Sequence, residues 1–124
     1  MNTNLAYNTY TQNNIGIESP YKLIEMLYEG ILRFNANIKR AIQDQDIEKR
    51  TYWVGRSSAV FTELLNSLDK EGGQIAYYLE GLYVYQLKLL SLANLNNDPK
   101  AIDEINMVVK GLLEAWREET SVAR

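Results

Sequence analysis

The fold is decided by one stretch, GQIAYYLEGLYVYQLKLLSLANL at residues 73–95, because it has the pattern of a single helix with two apolar faces. At about 100° per residue, its first face follows the i, i+3, i+4, i+7 spacing of a helix stripe that is buried in a core. The members of this first face are Ile75, Ala76, Leu79, Leu82, Tyr83, Gln86, Leu90 and Ala93. The stretch is therefore predicted to be a helix packed inside a bundle.

The second apolar face lies on nearly the opposite side of the same predicted helix. Its members are Tyr77, Gly81, Val84, Leu92 and Leu95, with Tyr78 and Tyr85 on the flank and Lys88 as an interruption. A chain of 124 residues seldom surrounds one helix completely. The second face therefore predicts a covering partner, which is either the rest of this chain or another molecule.

Three more helices are predicted from their start signals. Ser19 before Pro20, and Asp98 before Pro99, each combine an N-cap side chain with proline at the first helical position. Asp46 is a further candidate N-cap. The predicted helices span about 20–43, 47–68, 73–95 and 99–120.

These elements predict an all-α fold, an antiparallel up-down four-helix bundle, because the connections between the helices are only about 3 to 5 residues long. The bundle is expected to occupy residues 20–124. Residues 1–19 are rich in Asn and Thr and are expected to form an N-terminal arm. A frayed terminus and a short capping helix that docks on the bundle are the two alternatives for this arm.

The remaining predicted helices also show which side chains face away from the core. In the first helix, a weaker second stripe runs through Tyr21, Tyr28 and Leu32. In the second helix, Tyr52 points almost directly away from the core side. The acidic residues, Glu25 among them, fall on polar sides, which predicts solvated helix faces.

Composition predicts an ordinary soluble protein, with 46% hydrophobic and 23% charged residues. No apolar run approaches the roughly 18 residues of a membrane span, and the first residues lack the pattern of a signal peptide. We therefore expect a cytoplasmic protein without membrane insertion, and the lack of cysteine fits a reducing compartment. A net charge of -3 with interleaved acids and bases argues against nucleic-acid binding.

Catalytic chemistry has little support in the sequence. There is no histidine or cysteine to act as a base or a metal ligand. Ser57 and Ser58 therefore have no partner base, and Gly72-Gly73 is not followed by the residues of a phosphate-binding loop. We predict no enzyme activity, no cofactor and no metal site, and a carboxylate-only metal enzyme is the weakest interpretation.

Tyrosine is the compositional outlier, with nine residues. Tyrosine is favoured at protein interfaces because it combines a large rigid contact area with a polar tip. The outward apolar faces therefore have three interpretations, which are a groove for a peptide or helix, a homodimer interface, and a surface covered by the arm. These interpretations are not exclusive.

Several motifs together resemble the family of flagellin-specific export chaperones, FliS. They are the arm AYNTYTQNN, the start ESPYKLIEMLYEGILRF, the segment DQDIEKR, the run FTELLNSLD before GG, then YLEGLYVYQLKLLSLANLNND, and the ending GLLEAWREE. The resemblance extends from residue 5 to about residue 119, in the order that the family has. Such a combination would not recur by chance in an unrelated bundle.

The resemblance implies a cytoplasmic bundle that binds the disordered C-terminal segment of flagellin, prevents its premature polymerisation and delivers it to the flagellar type III export gate. In such chaperones the bound segment wraps around the bundle, partly extended and partly as short helices. The arm lies over part of this surface when flagellin is absent. The resemblance thus implies an autoinhibitory arm, with Leu5, Tyr7 and Tyr10 as its contact residues.

The flagellin contacts on the outward helix faces are our own inference from the residue pattern. The predicted binding residues are Tyr52, Tyr77, Tyr78, Gly81, Val84, Tyr85 and Leu92. Other flagellar regulators, a co-chaperone and weak homodimerisation stay open as further partners. The alternative from another class is a homodimeric regulatory or scaffolding bundle.

Overall fold

The computed structural model describes residues 19–121, apart from the Lys70 side chain, and shows four helices in that part of the chain. The helices are α1 (Pro20–Gln43), α2 (Ile47–Asn66), α3 (Gln74–Asn96) and α4 (Pro99–Ser121). A 3₁₀ turn precedes α3, and residues 19–121 contain no strand. The predicted all-α four-helix fold is confirmed. Of the predicted arm, only Ser19 lies among the described residues.

Three helices start at the predicted capping residues. The Ser19 hydroxyl accepts a hydrogen bond of 3.2 Å from a backbone N–H of the first turn of α1. The Asp46 carboxylate accepts one of 3.0 Å at the start of α2, and the Asp98 carboxylate accepts one of 2.9 Å at the start of α4. Each cap satisfies a donor that has no partner inside its helix.

The connection between α2 and α3 differs from the prediction, because it spans residues 67–73 and is longer than expected. The α2 helix ends at Asn66, where the Ser67 hydroxyl donates a hydrogen bond of 2.9 Å to the Leu64 carbonyl. Such side-chain bonds to the backbone compete with helix continuation. Gly73 then has a φ of 73°, so it reverses the chain and α3 begins one residue later than predicted.

Polar contacts between helix ends show that neighbouring helices run antiparallel. Lys39, near the end of α1, pairs with Asp103 near the start of α4. Arg50, near the start of α2, donates hydrogen bonds of 2.8 Å to the side-chain oxygens of Asn94 and Asn97 at the end of α3. Each helix therefore packs beside the next along the chain, and α4 closes the bundle against α1.

The expectation that Glu25 lies on a solvated face is wrong. Glu25 is only 5% exposed, and its carboxylate accepts a hydrogen bond of 3.0 Å from the Arg117 side chain of α4. The same guanidinium donates a bond of 2.7 Å to Glu29. The spacing along α1 gave the angular position of Glu25 correctly, but it could not show that α4 covers that side.

The outward placement of Tyr28 is also wrong, because this residue is buried in the core. Its hydroxyl lies 2.6 Å from the Tyr83 hydroxyl of α3, on the helix diagonally across the bundle. The two phenols satisfy each other, so the polar tips carry little desolvation penalty. The sequence pattern of α1 alone could not reveal a partner on a distant helix.

A second polar contact inside the bundle ties three helices together. Asn35 of α1 is fully buried, and its amide nitrogen donates to the Asn106 side chain of α4 at 2.9 Å. Its amide oxygen accepts a hydrogen bond of 2.8 Å from the Ser57 hydroxyl of α2. Ser57 therefore has a structural partner, and the network fixes the register of α1 against both neighbours.

Asn35→Ala is expected to lower the free energy of unfolding by about 1 to 3 kcal/mol, because it leaves the buried Ser57 hydroxyl without its partner and removes the bond to the half-buried Asn106 side chain. Asn37→Ala is the matched control, since its side chain makes only an exposed hydrogen bond of 3.3 Å to the backbone. We expect the control to change stability by less than about 0.5 kcal/mol. Urea unfolding followed by circular dichroism measures both, and equal effects would contradict the role of the network.

The tyrosine pair predicts a loss of stability in alkali. Burial raises the pKa of both Tyr28 and Tyr83 above the ordinary value, and the hydrogen bond between them adds to the rise for Tyr83. The stabilising contribution of the protonated phenols is complete below about pH 10, the pKa of an unfolded tyrosine, and is lost as the pH rises further.

The double variant Tyr28→Phe/Tyr83→Phe removes both hydroxyls and leaves neither unpaired. We expect it to lose less stability than the wild-type chain between about pH 9 and pH 11, where free tyrosine ionises. Denaturant unfolding at the two pH values measures this difference. An equal loss in both proteins would show that the pair does not control alkaline stability.

Candidate protein-binding surface

The second apolar face of α3, which was predicted to need a covering partner, is not covered by the other helices of the bundle. Tyr77 is 80% exposed and Val84 is 52% exposed, and the other apolar members of the set are exposed as well. We name this surface the α3 outer face. It consists of Tyr77, Tyr78, Gly81, Val84, Tyr85 and Leu92.

On the core side, the first turns of α3 are covered only in part, which corrects the sequence prediction. Ile75 was expected in the core and is 71% exposed. No side chain in residues 74–82 is buried, whereas Tyr83, Gln86 and Leu90 are enclosed. Periodicity identifies the side of a helix on which a residue lies, but it does not show where along the helix the core begins. Here the core begins at Tyr83.

Two neighbouring grooves lie on either side of the exposed Tyr77 ring. The larger, of about 900 Å³, is lined by Gly73, Gln74, Tyr77, Tyr78, Gly81, Leu82 and Tyr85. The second, of about 570 Å³, is lined by Leu65, Asn66, Leu68, Tyr77, Glu80, Gly81 and Val84. Tyr77 and Gly81 line both grooves, so they form the boundary between them.

Sequence reasoning missed the contribution of α2 and of the segment after it. Leu65 and Leu68 are half-buried and line the second groove. Their apolar spacing was correct for a core residue. Their exposure depends on tertiary structure, because α2 ends at Asn66 and leaves these side chains at the edge of the bundle. The spacing within one helix does not contain that information.

Gly81 lies in the middle of α3, where glycine costs roughly 1 kcal/mol relative to alanine. A methyl group at this position would meet no atom within 4 Å, so the described part of the bundle does not need a glycine there. Gly111 of α4 has the same open surroundings but lines neither groove. The two positions therefore form a matched pair for testing the surface.

Charge is nearly absent from α3, whose charged residues are Glu80 and Lys88. Of these, Glu80 lines the second groove, and the lining of the larger groove contains no charged side chain. Such a surface does not select a charged ligand. It suits an apolar or amphipathic polypeptide whose side chains enter the grooves.

Tyr52 is the one predicted binding residue that the structure places elsewhere. Its ring packs edge-on against Trp53 with centroids 4.9 Å apart, and its hydroxyl accepts a hydrogen bond of 2.8 Å from Arg56. Trp53 and Arg56 both contact Phe34 of α1. Tyr52 therefore belongs to the α1–α2 side of the bundle and lines neither groove on α3.

Three further expectations concern residues or groups outside this surface. The predicted arm residues Leu5, Tyr7 and Tyr10 lie outside the described residues. Within residues 19–121, no three Asp or Glu side chains gather in a way that could hold a metal ion. None of the helices in that range has the length and apolar content needed to cross a membrane.

Residues 19–121 thus form a four-helix bundle with an apolar helix face that the other described helices leave exposed, a feature typical of helical protein-binding modules. Comparison with known families gives a match over residues 2–123 to the family described as Flagellar protein FliS. The chain therefore belongs to the FliS family of flagellar secretion chaperones.

Curated relatives agree with this assignment. The chain is 62% identical over 119 residues to the flagellar secretion chaperone FliS of Campylobacter jejuni, covering 95% of this chain and 93% of the relative. It is 32% identical over 102 residues to FliS of Salmonella typhimurium, covering 81% and 76% respectively. The FliS protein of Escherichia coli is 30% identical over 123 residues, covering 91% and 89%.

The comparisons confirm two of the sequence predictions. The resemblance to the FliS family is correct. The relatives are named as chaperones and not as enzymes, which also confirms the prediction of a non-enzymatic protein.

Proposed function

We propose that this chaperone binds the C-terminal segment of flagellin on the α3 outer face, in the cytoplasm, and delivers it to the flagellar export gate. The observation that carries the proposal is the exposed apolar surface around Tyr77, with a groove on each side. The family gives the class of client, which is a secreted flagellar protein. Flagellin, as a subunit that must stay unpolymerised before export, fits the resemblance found in the sequence.

The chemistry of the face suits an amphipathic segment that has little structure of its own. Exposed tyrosines provide large contact areas at low entropic cost, and the grooves between them accept apolar side chains. From Tyr77 to Leu92 the face extends over roughly 22 Å at 1.5 Å per residue. A client helix of about four turns, or a shorter extended segment, would match that length.

Binding of this kind explains how a chaperone would prevent polymerisation. Apolar residues through which a flagellar subunit meets its neighbours would instead be held against α3. A segment that orders only on binding loses conformational entropy at that step, so its affinity stays moderate for the contact area. Moderate affinity favours release at the export gate. Further regulators or a co-chaperone would have to share this surface or use another one.

Val84→Asp is expected to weaken binding of a flagellin C-terminal segment by about 1 to 2 kcal/mol, which is roughly 5- to 30-fold, because it places a charge inside an apolar contact. Ile47→Asp is the matched control, since Ile47 is an exposed apolar residue in the first turn of α2. Titration calorimetry measures both affinities. Circular dichroism should show an intact fold for both variants.

Unchanged affinity of Val84→Asp would overturn the placement of flagellin on the α3 outer face. A similar loss in Ile47→Asp would show that added negative charge weakens binding wherever it is placed. A stable dimer by sedimentation, together with no affinity for flagellin, would favour a homodimeric scaffold.

Gly81→Ala is expected to separate stability from binding. Both Gly81→Ala and Gly111→Ala should raise the free energy of unfolding by up to about 1 kcal/mol, because alanine favours the helix and meets no neighbour. Only Gly81→Ala should weaken flagellin binding, because its methyl group enters the boundary of the two grooves. Thermal melts and calorimetry measure the two effects, and equal binding by both variants would contradict close client approach at Gly81.

The competing role of Leu5, Tyr7 and Tyr10 stays a prediction from the resemblance. Comparing the flagellin affinity of the full chain with that of a chain that lacks residues 1–17 would measure this competition directly. The arm would act by lowering the fraction of chaperone that is open to flagellin.

A further inference from the structure

Two arginines on the α1–α2 side converge on one aromatic ring. The guanidinium carbon of Arg56 lies 4.9 Å from the centre of the Phe34 ring, and that of Arg33 lies 5.9 Å from it. Arg56 also donates a hydrogen bond of 2.8 Å to the Tyr52 hydroxyl, and Trp53 packs against both rings. We name Arg33, Phe34, Tyr52, Trp53 and Arg56 the arginine–aromatic cluster.

The positive charge of this cluster is unbalanced within residues 19–121. Neither Arg33 nor Arg56 forms an ion pair there, although the whole chain carries a net charge of -3. On α1, Glu29 lies one turn before Arg33 and is bonded to Arg117 at 2.7 Å. On α2, Glu63 lies seven residues beyond Arg56, which is roughly 10 Å along the helix. Two exposed positive charges therefore lie beside one aromatic ring without an ion pair among residues 19–121, and an anionic partner that reached both would be attracted by each.

The cluster also holds its guanidinium groups in place. Stacking on Phe34 and the bond to Tyr52 restrict Arg56, so less side-chain entropy is lost when it binds. A guanidinium that stacks by its face keeps N–H groups at its edge. Those groups match the two oxygens of a carboxylate. The half-exposed Tyr52 ring offers an apolar contact beside them.

We propose that the arginine–aromatic cluster is a second docking surface, and that its partner is an acidic polypeptide segment with an apolar side chain between its carboxylates. The carboxylates would pair with Arg33 and Arg56, and the apolar side chain would pack on Tyr52. Charge complementarity decides the occupant. Nucleic acid fits poorly, since affinity for a phosphate backbone grows with the number of Lys and Arg contacts and this cluster holds two arginines.

This surface is separate from the α3 outer face. The cluster lies where α2 meets α1, whereas α2 meets α3 through Arg50 and Thr51 at one end and Leu65 at the other. No residue of the cluster lines a groove on α3. Both surfaces are therefore free to be occupied at once, which would let the chaperone hold a client while it contacts a second protein.

The test uses fluorescence anisotropy with a short labelled peptide in which glutamates flank a central phenylalanine. A second peptide has glutamine in place of each glutamate. We expect the full chain to bind the glutamate peptide at least about tenfold more tightly, since a tenfold change is about 1.4 kcal/mol and charged hydrogen bonds contribute that much. Arg33→Gln/Arg56→Gln should remove that preference.

Lys110→Gln is the matched control, because it removes one exposed positive charge from α4, away from the cluster. We expect it to change the affinity for the glutamate peptide by less than about twofold, as for a screened surface charge. Arg56→Lys keeps the positive charge but loses the planar, forked guanidinium group. Its affinity for the glutamate peptide should lie between that of the wild-type chain and that of the double variant. Circular dichroism must show that all variants are folded.

Equal weakening by Lys110→Gln and the double variant would overturn the proposal, as would tight binding of the glutamine peptide. Loss of binding to phosphatidylglycerol vesicles without loss of peptide binding would assign the cluster to a lipid surface instead. The flagellin segment should bind the double variant as it binds the wild-type chain. If the double variant also binds the flagellin segment more weakly, the cluster is part of the flagellin-binding surface and is not a second docking surface.

Discussion

The hydrogen bond between Tyr28 and Tyr83, 2.6 Å long and buried, sets the point at which α3 enters the core. It joins two helices that lie diagonally across the bundle, so it also fixes how close they approach. From Tyr83 onward, α3 contributes enclosed residues such as Leu90. Before that contact, the helix continues without a buried side chain. One helix therefore serves both as a core element and as an exposed surface, and the tyrosine pair marks the division.

The features that the sequence predicted well are local. Ser19, Asp46 and Asp98 cap their helices because an N-cap depends only on the few residues that follow it. The exposed side of α3 also follows from local spacing, since Tyr77 and Val84 lie on the same face in any straight helix. A four-helix bundle then follows from the number and length of the helices.

The features that the sequence did not predict depend on neighbours. Tyr28 is buried because α3 supplies a second phenol, and Glu25 is buried because α4 supplies Arg117. Ile75 has the spacing of a core residue, but it is exposed because the other helices do not cover the start of α3. The second groove needs Leu65 from α2. Each of these outcomes is set by the distance between elements, which a single-helix pattern does not contain.

The exposed start of α3 gives the chaperone a surface that can deform at low free-energy cost. In residues 74–82 no side chain is fully enclosed, and Leu79 packs against the core while only partly buried, so opening this segment exposes less apolar area than opening the rest of α3. Gly73, with its positive φ, makes the turn between the preceding 3₁₀ segment and this part of α3. The start of α3 is therefore expected to open more readily than the enclosed part of the same helix, and a partner held there would order it locally.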